Sequence, residues 1–272
     1  MTSTSTHARG PRMLPLTALS IWTELRSSLR APEFAVGALG VPILIYAMFG
    51  LPNSSSLPGG TPVDVAMLVS VCAYGTISMA IFVFGEDVAK DRSRGWTRTL
   101  RATPIPTPAY LAGKVGNALL LSTVVILALF ALAGLAAGAD LEPATWLRLG
   151  VTMLGATVVF APLGFAIAYL ARPRAAVMVA NLIFLPLAFA SGFFVPLSDL
   201  PEVVQNVAVY LPTFHFGQLA YPVVMPASDV AFWTATPSSP PWLHLAWLGG
   251  AFLVLGLLAA VAARREGATA RG

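Results

Sequence analysis

Asp87 and Asp91 stand four residues apart, a spacing that would set both carboxylates on one face of a helix. Paired carboxylates of this kind hold magnesium and a diphosphate in membrane prenyltransferases. Such an enzyme needs a second acidic cluster, and the chain offers none. Gly113 and Lys114 end like a phosphate-binding loop, but the upstream glycine and the following Ser or Thr are absent. His7, His215 and His244 are far apart and no HExxH occurs, so the sequence points to no metal site. No GxSxG nucleophile turn is present. Cys72 is the single cysteine, which excludes an intrachain disulfide, and its place in "SVCAYG" reads as small apolar filler. We therefore expect no catalytic residue and no cofactor in this chain. Its densest polar feature is "EDVAKDRSRGWTRTLRATPIPTPAYLAGK", from Glu86 to Lys114.

The elements that must position this stretch are apolar. Of 272 residues, 57 % are hydrophobic and only 10 % charged, whereas a soluble domain carries about a quarter charged residues. Crossing a bilayer as a helix takes roughly 20 mostly apolar residues. Six runs qualify, at 34–51, 65–84, 115–139, 149–171, 175–197 and 243–263. Runs such as "LLLSTVVILALFALAGL" do not alternate, so helices are expected rather than a barrel. Residues 1–13 read as a disordered tail. Residues 14–33 carry Leu16, Leu19, Trp22, Leu25 and Leu29 at helical spacing, with Glu24, Arg26 and Arg30 largely elsewhere, which predicts an amphipathic interfacial helix.

Residues 203–228 are uncharged and long enough to span, but they contain Gln205, Asn206, Pro212, His215, Gln218, Pro222 and Pro226. Polar groups and prolines at that density are costly against lipid. We read 198–228 as an outer hairpin of two short helices that enters the interface and turns back. The charge pattern supports six spans with both ends inside. Arg148 is then the one basic residue of the chain's 16 on the outside, as expected when cytoplasmic loops collect Lys and Arg. The basic residues flank apolar runs, so the net charge of +4 implies a lipid surface and no nucleic-acid partner. The expected fold is an all-α integral membrane domain over 34–263, with a cytoplasmic loop at 86–108 and a cytoplasmic tail at 264–272.

Topology explains the basic residues of the charged loop. It does not explain Glu86, Asp87 and Asp91, nor Pro104, Pro106 and Pro108, which stop any helix and return the chain to the membrane. Here the sequence resembles the permease subunits of type-2 ABC exporters. That family has an acidic residue leaving the second span, a pattern like E-x-x-x-G-T-x-x-x-L-x-x-T-P, and then G-K opening the third. Glu86, Gly95, Leu100, Thr103, Pro104, Gly113 and Lys114 match, with a longer insert before Gly95 and with Trp96 preceding Thr97. A second match is "LPLAFASGFFVPLSDLPEVVQNVAVYLPTFHF", where Pro186, Ser191, Gly192, Pro196, Leu200, Pro201, Leu211, Pro212 and His215 fall at expected positions.

The resemblance implies a bacterial inner-membrane permease with no ATPase motif of its own. Separate cytoplasmic ABC ATPase subunits, holding ATP and magnesium, would grip the loop near Glu86, Arg94, Gly95, Leu100, Thr103, Pro104 and Lys114. A second permease copy or paralogue would complete the pathway, and an amphipathic or lipophilic cargo such as a drug, antibiotic, lipid or glycan would be exported. Pro42, Pro162 and Pro186 are candidate kinks, and Gly150, Gly155 and Gly164 candidate close contacts between helices. Asn181, the most polar residue deep in the fifth run, reads as an interhelical hydrogen bond or a pathway residue. Two other readings stay open: a magnesium-dependent prenyl- or phosphotransferase using Asp87 and Asp91, and a non-transporting ATPase-linked sensor.

Overall fold

A computed structural model describes residues 21–24, 26, 32–95 and 107–269. The tail at 1–13, most of the interfacial segment, and Leu100, Thr103 and Pro104 lie outside the described residues. Among those described the chain is helical and forms no strand. We label α1 Pro32–Ile45, α2 Val63–Phe82, α3 Val88–Ser93, α4 Thr107–Leu132, α5 Pro143–Leu170, α6 Ala176–Ala190, α7 Glu202–Ala208, α8 Pro212–Ala220, α9 Ala227–Thr234 and α10 Pro241–Thr269. Wide π-turns extend α1 over Tyr46–Gly50 and α4 over Ala133–Ala137, and another joins α2 to α3 over Val83–Asp87.

Among the described residues five helical stretches are long and apolar enough to cross a membrane: Val63–Ser93, Ala109–Ala137, Pro143–Leu170, Pro173–Ala190 and Pro241–Arg265. Leu39–Gly50 is a further, shorter apolar helix. The chain is thus an all-α integral membrane protein.

All these helices are apolar around most of their circumference, so composition does not say which one is central. Packing does. The best apolar window of Val63–Ser93 is 89 % buried, while that of Pro241–Arg265 is 17 % buried. Helix α2 is the axis, packed by α5, α4, α1, α6 and α8. Leu245, Leu253, Val254 and Leu257 on α10, and Met178, Leu182 and Phe189 on α6, stay exposed. Apolar faces of that extent belong in hydrocarbon.

Small residues and hydroxyls make the inner contacts. A side chain at Gly164 would meet the Ala80 carbonyl at 2.7 Å and Phe84 Cβ at 2.8 Å, so α2 and α5 touch almost backbone to backbone there. Gly155 faces open space and Gly150 has only ordinary contacts, so of the three glycines expected to permit close approach only Gly164 does. Gly75 is held between Val125 of α4 and Pro42 of α1. Ser122 and Thr157 share a 2.8 Å hydrogen bond between α4 and α5. Ser70 of α2 reaches the Tyr221 hydroxyl at 2.9 Å.

Several expected boundaries move. The second run does not stop at 84. No proline interrupts it, and the helix continues through Glu86 and Asp87 to Ser93, so the first eight residues of the expected loop are helix. The fifth run ends at Ala190 rather than 197, because Gly192 adopts φ 78° and turns the chain sharply at Ser191 and Gly192. The final helix continues through the expected tail to Thr269. The segment after α6 contains three short helices, α7, α8 and α9, and the third reaches beyond 228 to Thr234.

Candidate functional site at the charged end

Helix α2 leaves the core at Phe84, which is fully buried, and Gly85, which lies against the Gly164 backbone. The π-turn then rotates the chain so that α3 presents different residues to different neighbours. Glu86 and Lys90 pair at 2.5 Å on a face where the lysine is half exposed. A solvated i, i+4 pair of this kind contributes only a few tenths of a kcal/mol, about 0.3–0.5. Asp91 points the other way. Its Oδ2 accepts a hydrogen bond from the Tyr110 hydroxyl at 2.8 Å and lies 3.0 Å from Lys114 Nζ. Lys114, almost fully buried, also donates to Glu24 Oε2 at 2.8 Å. One lysine on α4 therefore holds together α3 and the helical turn at 21–24.

Arg92 provides a second tie. Its guanidinium donates to the carbonyl of Ala168 in the last turn of α5 and lies over the Tyr169 ring, 5.1 Å from the centroid. A cation at a helix C-terminus meets the negative end of the helix dipole and its unpaired carbonyls. Gly95, at φ 71°, ends α3, with its N–H donating to the Arg92 carbonyl at 3.0 Å. Arg94, just before it, is exposed.

Of the expected coupling residues, Glu86 sits in the π-turn that leads into α3, and Arg94 and Gly95 at the end of α3. Lys114 is near them but pairs with Asp91 and Glu24, not with Glu86. Asp91 is already engaged by a lysine and a tyrosine, which leaves little room for a magnesium–diphosphate site with Asp87. Among the described residues no three His, Cys, Asp or Glu side chains gather as a metal site.

At the opposite end, the residues singled out after the fifth run fasten the short helices to the long ones. Ser191 and Thr213 share a 2.6 Å hydrogen bond. Pro196 precedes a tight turn at Leu197–Asp199, Pro201 precedes α7, and Pro212 opens α8. His215 is wedged between elements: Nδ1 lies 2.8 Å from Nδ1 of His244 on α10, Nε2 donates to the Val209 carbonyl at 3.0 Å, and the ring stacks on Trp247. With Nε2 as donor, its Nδ1 is an acceptor, so His244 supplies the shared proton. Burial, then the neighbouring His244, pushes the His215 imidazole down to about 4. Asn181 donates to the Val177 carbonyl of its own helix at 3.0 Å and makes no interhelical hydrogen bond among the described residues.

Three important partners carried no usable signal in the sequence. Glu24 read only as part of a polar helix face, and Tyr110 had no motif around it. Asp229, closed off from solvent, accepts N–H bonds from Gly59 at 2.5 Å and Thr61 at 2.9 Å, more than 160 residues away in the chain. Desolvation pushes its carboxyl up, but the donors at Thr61 and Gly59 outweigh it and hold the group below the usual carboxylate range.

The described residues thus form a multi-pass helical membrane bundle with charged side chains braced at one end. Residues 16–223 match the family model described as ABC-2 type transporter, and the chain belongs to that family. It is 25 % identical over 201 residues to YvfS of Bacillus subtilis (strain 168), which carries the name of a transport permease; the match covers 74 % of this chain and 82 % of that one. It is 27 % identical over 187 residues to the inner membrane transport permease YhhJ of Escherichia coli (strain K12). That match covers 66 % of this chain but 47 % of YhhJ, and the Shigella flexneri protein of the same name matches equally. The chain is thus a membrane permease of an ABC transporter system.

Proposed function

We propose that this chain is the membrane half of an ATP-driven exporter, moving an amphipathic or lipophilic cargo out of the cytoplasm or the inner leaflet. The observation that carries the reading is the charged end itself. The central, most buried helix runs without a break from the core into α3, where Arg92 fastens it to α5 and Asp91 to Lys114. A push on α3 or on the segment after Gly95 would reach the bundle axis directly.

In this reading a separate cytoplasmic ABC ATPase docks on Glu86, Arg94 and Gly95 and on the following residues through Leu100, Thr103 and Pro104. On the same reading the charged end faces the cytoplasm, because it carries Lys90, Arg92, Arg94 and Lys114 and cytoplasmic segments collect Lys and Arg. Six spans are proposed, the first formed by Pro32–Ile45 with Tyr46–Gly50, 14 and 5 residues. A second copy or paralogue completes the pathway, which Asn181 would line if α6 faces it. The hairpin with Ser191, Gly192, Pro196, Pro201, Pro212 and His215 lies at the outer face.

The test is co-purification of the full chain with candidate ATPases, followed by transport in vesicles. Stable co-elution, lost in Glu86→Lys or Gly95→Pro while the variants still fold, supports the reading. A complex that hydrolyses ATP yet moves no amphiphile across vesicles would favour a sensor instead.

A further inference from the structure

The end of the molecule opposite α3 contains a cleft of about 620 Å³, within the range of small-molecule sites. Its apolar walls include Phe49, Phe194, Phe232 and Trp233, and its one charged lining residue is Asp199. Asn53, Ser55 and Ser56 add neutral polar groups on one side.

The walls are built before any ligand arrives. The loop at 51–62 folds on itself through Leu57 N–H to the Thr61 carbonyl and Val63 N–H to the Ser55 carbonyl, and Asp229 clamps it at Gly59 and Thr61. Phe194 is packed against Tyr74 at 4.9 Å and Phe189 at 5.2 Å. Asp199 sits in a turn whose Ser198 and Leu200 carbonyls accept from Gln205. A preformed site loses little on ordering when it binds.

The chemistry has one sign. Asp199 is exposed and forms no ion pair among the described residues, and no basic side chain lines the cleft. The helix alternation brings Asp64, Asp140, Glu142, Glu202 and Asp229 to the same end, with Arg148 as the only Lys or Arg among the described residues there. Aromatic faces beside a free carboxylate attract organic cations and disfavour anions.

We propose that this cleft binds an organic ammonium group carrying an apolar body, with the cation at Asp199 and the body against Phe49, Phe194 and Phe232. The ammonium could come from a free amphiphile or from a lipid headgroup. The inference concerns binding alone and does not rest on the transport reading.

The experiment uses the full chain in phosphatidylglycerol nanodiscs and the saturable binding of radiolabelled dodecyltrimethylammonium below its micellar range. Asp199→Asn, at an exposed position, should weaken binding about fivefold while thermal unfolding is unchanged, and Phe232→Ala should weaken it similarly. Comparing each variant with wild type in the same discs cancels the lipid's own attraction for the probe. Dodecyl sulfate should compete poorly. A repeat in phosphatidylcholine discs separates the sources: a loss of the Asp199-dependent component assigns the site to a choline headgroup, and an unchanged component assigns it to a free amphiphile. The proposal is overturned if no saturable component appears, or if Asp199→Asn binds as wild type does.

Discussion

Lys114→Met is the substitution that most directly tests the brace at the charged end. Met keeps the apolar stem and removes only the ammonium. In the native arrangement Lys114 Nζ lies 2.8 Å from Glu24 and 3.0 Å from Asp91, and the lysine side chain is 3 % exposed against 21 % for each carboxylate. At an effective dielectric of about 20, each contact contributes roughly 5 kcal/mol of Coulomb attraction, which the desolvation of the lysine largely offsets. Removing the cation leaves two carboxylates in a half-dry site without a counter-charge, Asp91 keeping only its hydrogen bond from Tyr110. Breaking a buried pair costs about 3–5 kcal/mol, and the partial exposure of both acids places this case near the lower bound, at about 3 kcal/mol. The assay is reversible unfolding of the purified chain in mixed micelles with increasing dodecyl sulfate, followed by far-ultraviolet circular dichroism. Neutralising the stranded acids should recover part of the loss, so Lys114→Met with Asp91→Asn and Glu24→Gln should be about 1–2 kcal/mol more stable than Lys114→Met alone. If Lys114→Met stays within about 0.5 kcal/mol of wild type, or if the triple variant recovers nothing, the three groups do not form the brace described above.

Two glycines on one helix should respond oppositely: Gly164→Ala should destabilise by more than about 2 kcal/mol, because its Cβ would overlap the Ala80 carbonyl, while Gly155→Ala should be neutral or stabilising by up to about 1 kcal/mol. The same unfolding assay distinguishes them. Asp229 is held below its ordinary value, so its contribution to stability is present above the unfolded carboxylate pKa and lost as pH falls through the lower folded value. Stability at acid pH should therefore depend on it, and in Asp229→Ala the Thr61 amide should exchange at least about tenfold faster near neutral pH. Cys72 is fully buried, so labelling backgrounds should be low; Arg94→Cys should resist a membrane-impermeant maleimide in intact cells and react after permeabilisation, and Ser56→Cys should do the reverse. External labelling at position 94 would invert the proposed topology.

The membrane character was legible wherever the signal was a property of a run. The run at 65–84 carries no charge and became a helix, and the runs beginning near 115, 149 and 243 did the same. Boundaries failed where one residue's backbone angle decided them. Gly192 turns the chain five residues before the apolar run ends, because lipid-like composition continues through a turn that hydropathy does not register. The charged loop failed for the opposite reason. Its charges suggested an exit from the helix, yet with no proline before 104 nothing in the backbone forced one, and Arg92 found the end of α5. His215 stood out as an unusual polar residue in an apolar hairpin, but its partner His244 lies 29 residues on with no pattern connecting them.

By itself the sequence determined that this chain lives in a bilayer as helices, and where its basic residues cluster. Those properties follow from local chemistry: apolar side chains need hydrocarbon, and backbone amides within it must bond to their own helix. Only the tertiary structure decided that α2 is the axis, that Gly164 and not Gly155 is the close crossing, and that Lys114 joins Glu24 to Asp91. Helices that are apolar on every side carry no mark of which neighbour they will meet. That choice is made by shape and by a few polar groups that must find partners, and both exist only once the chain has packed.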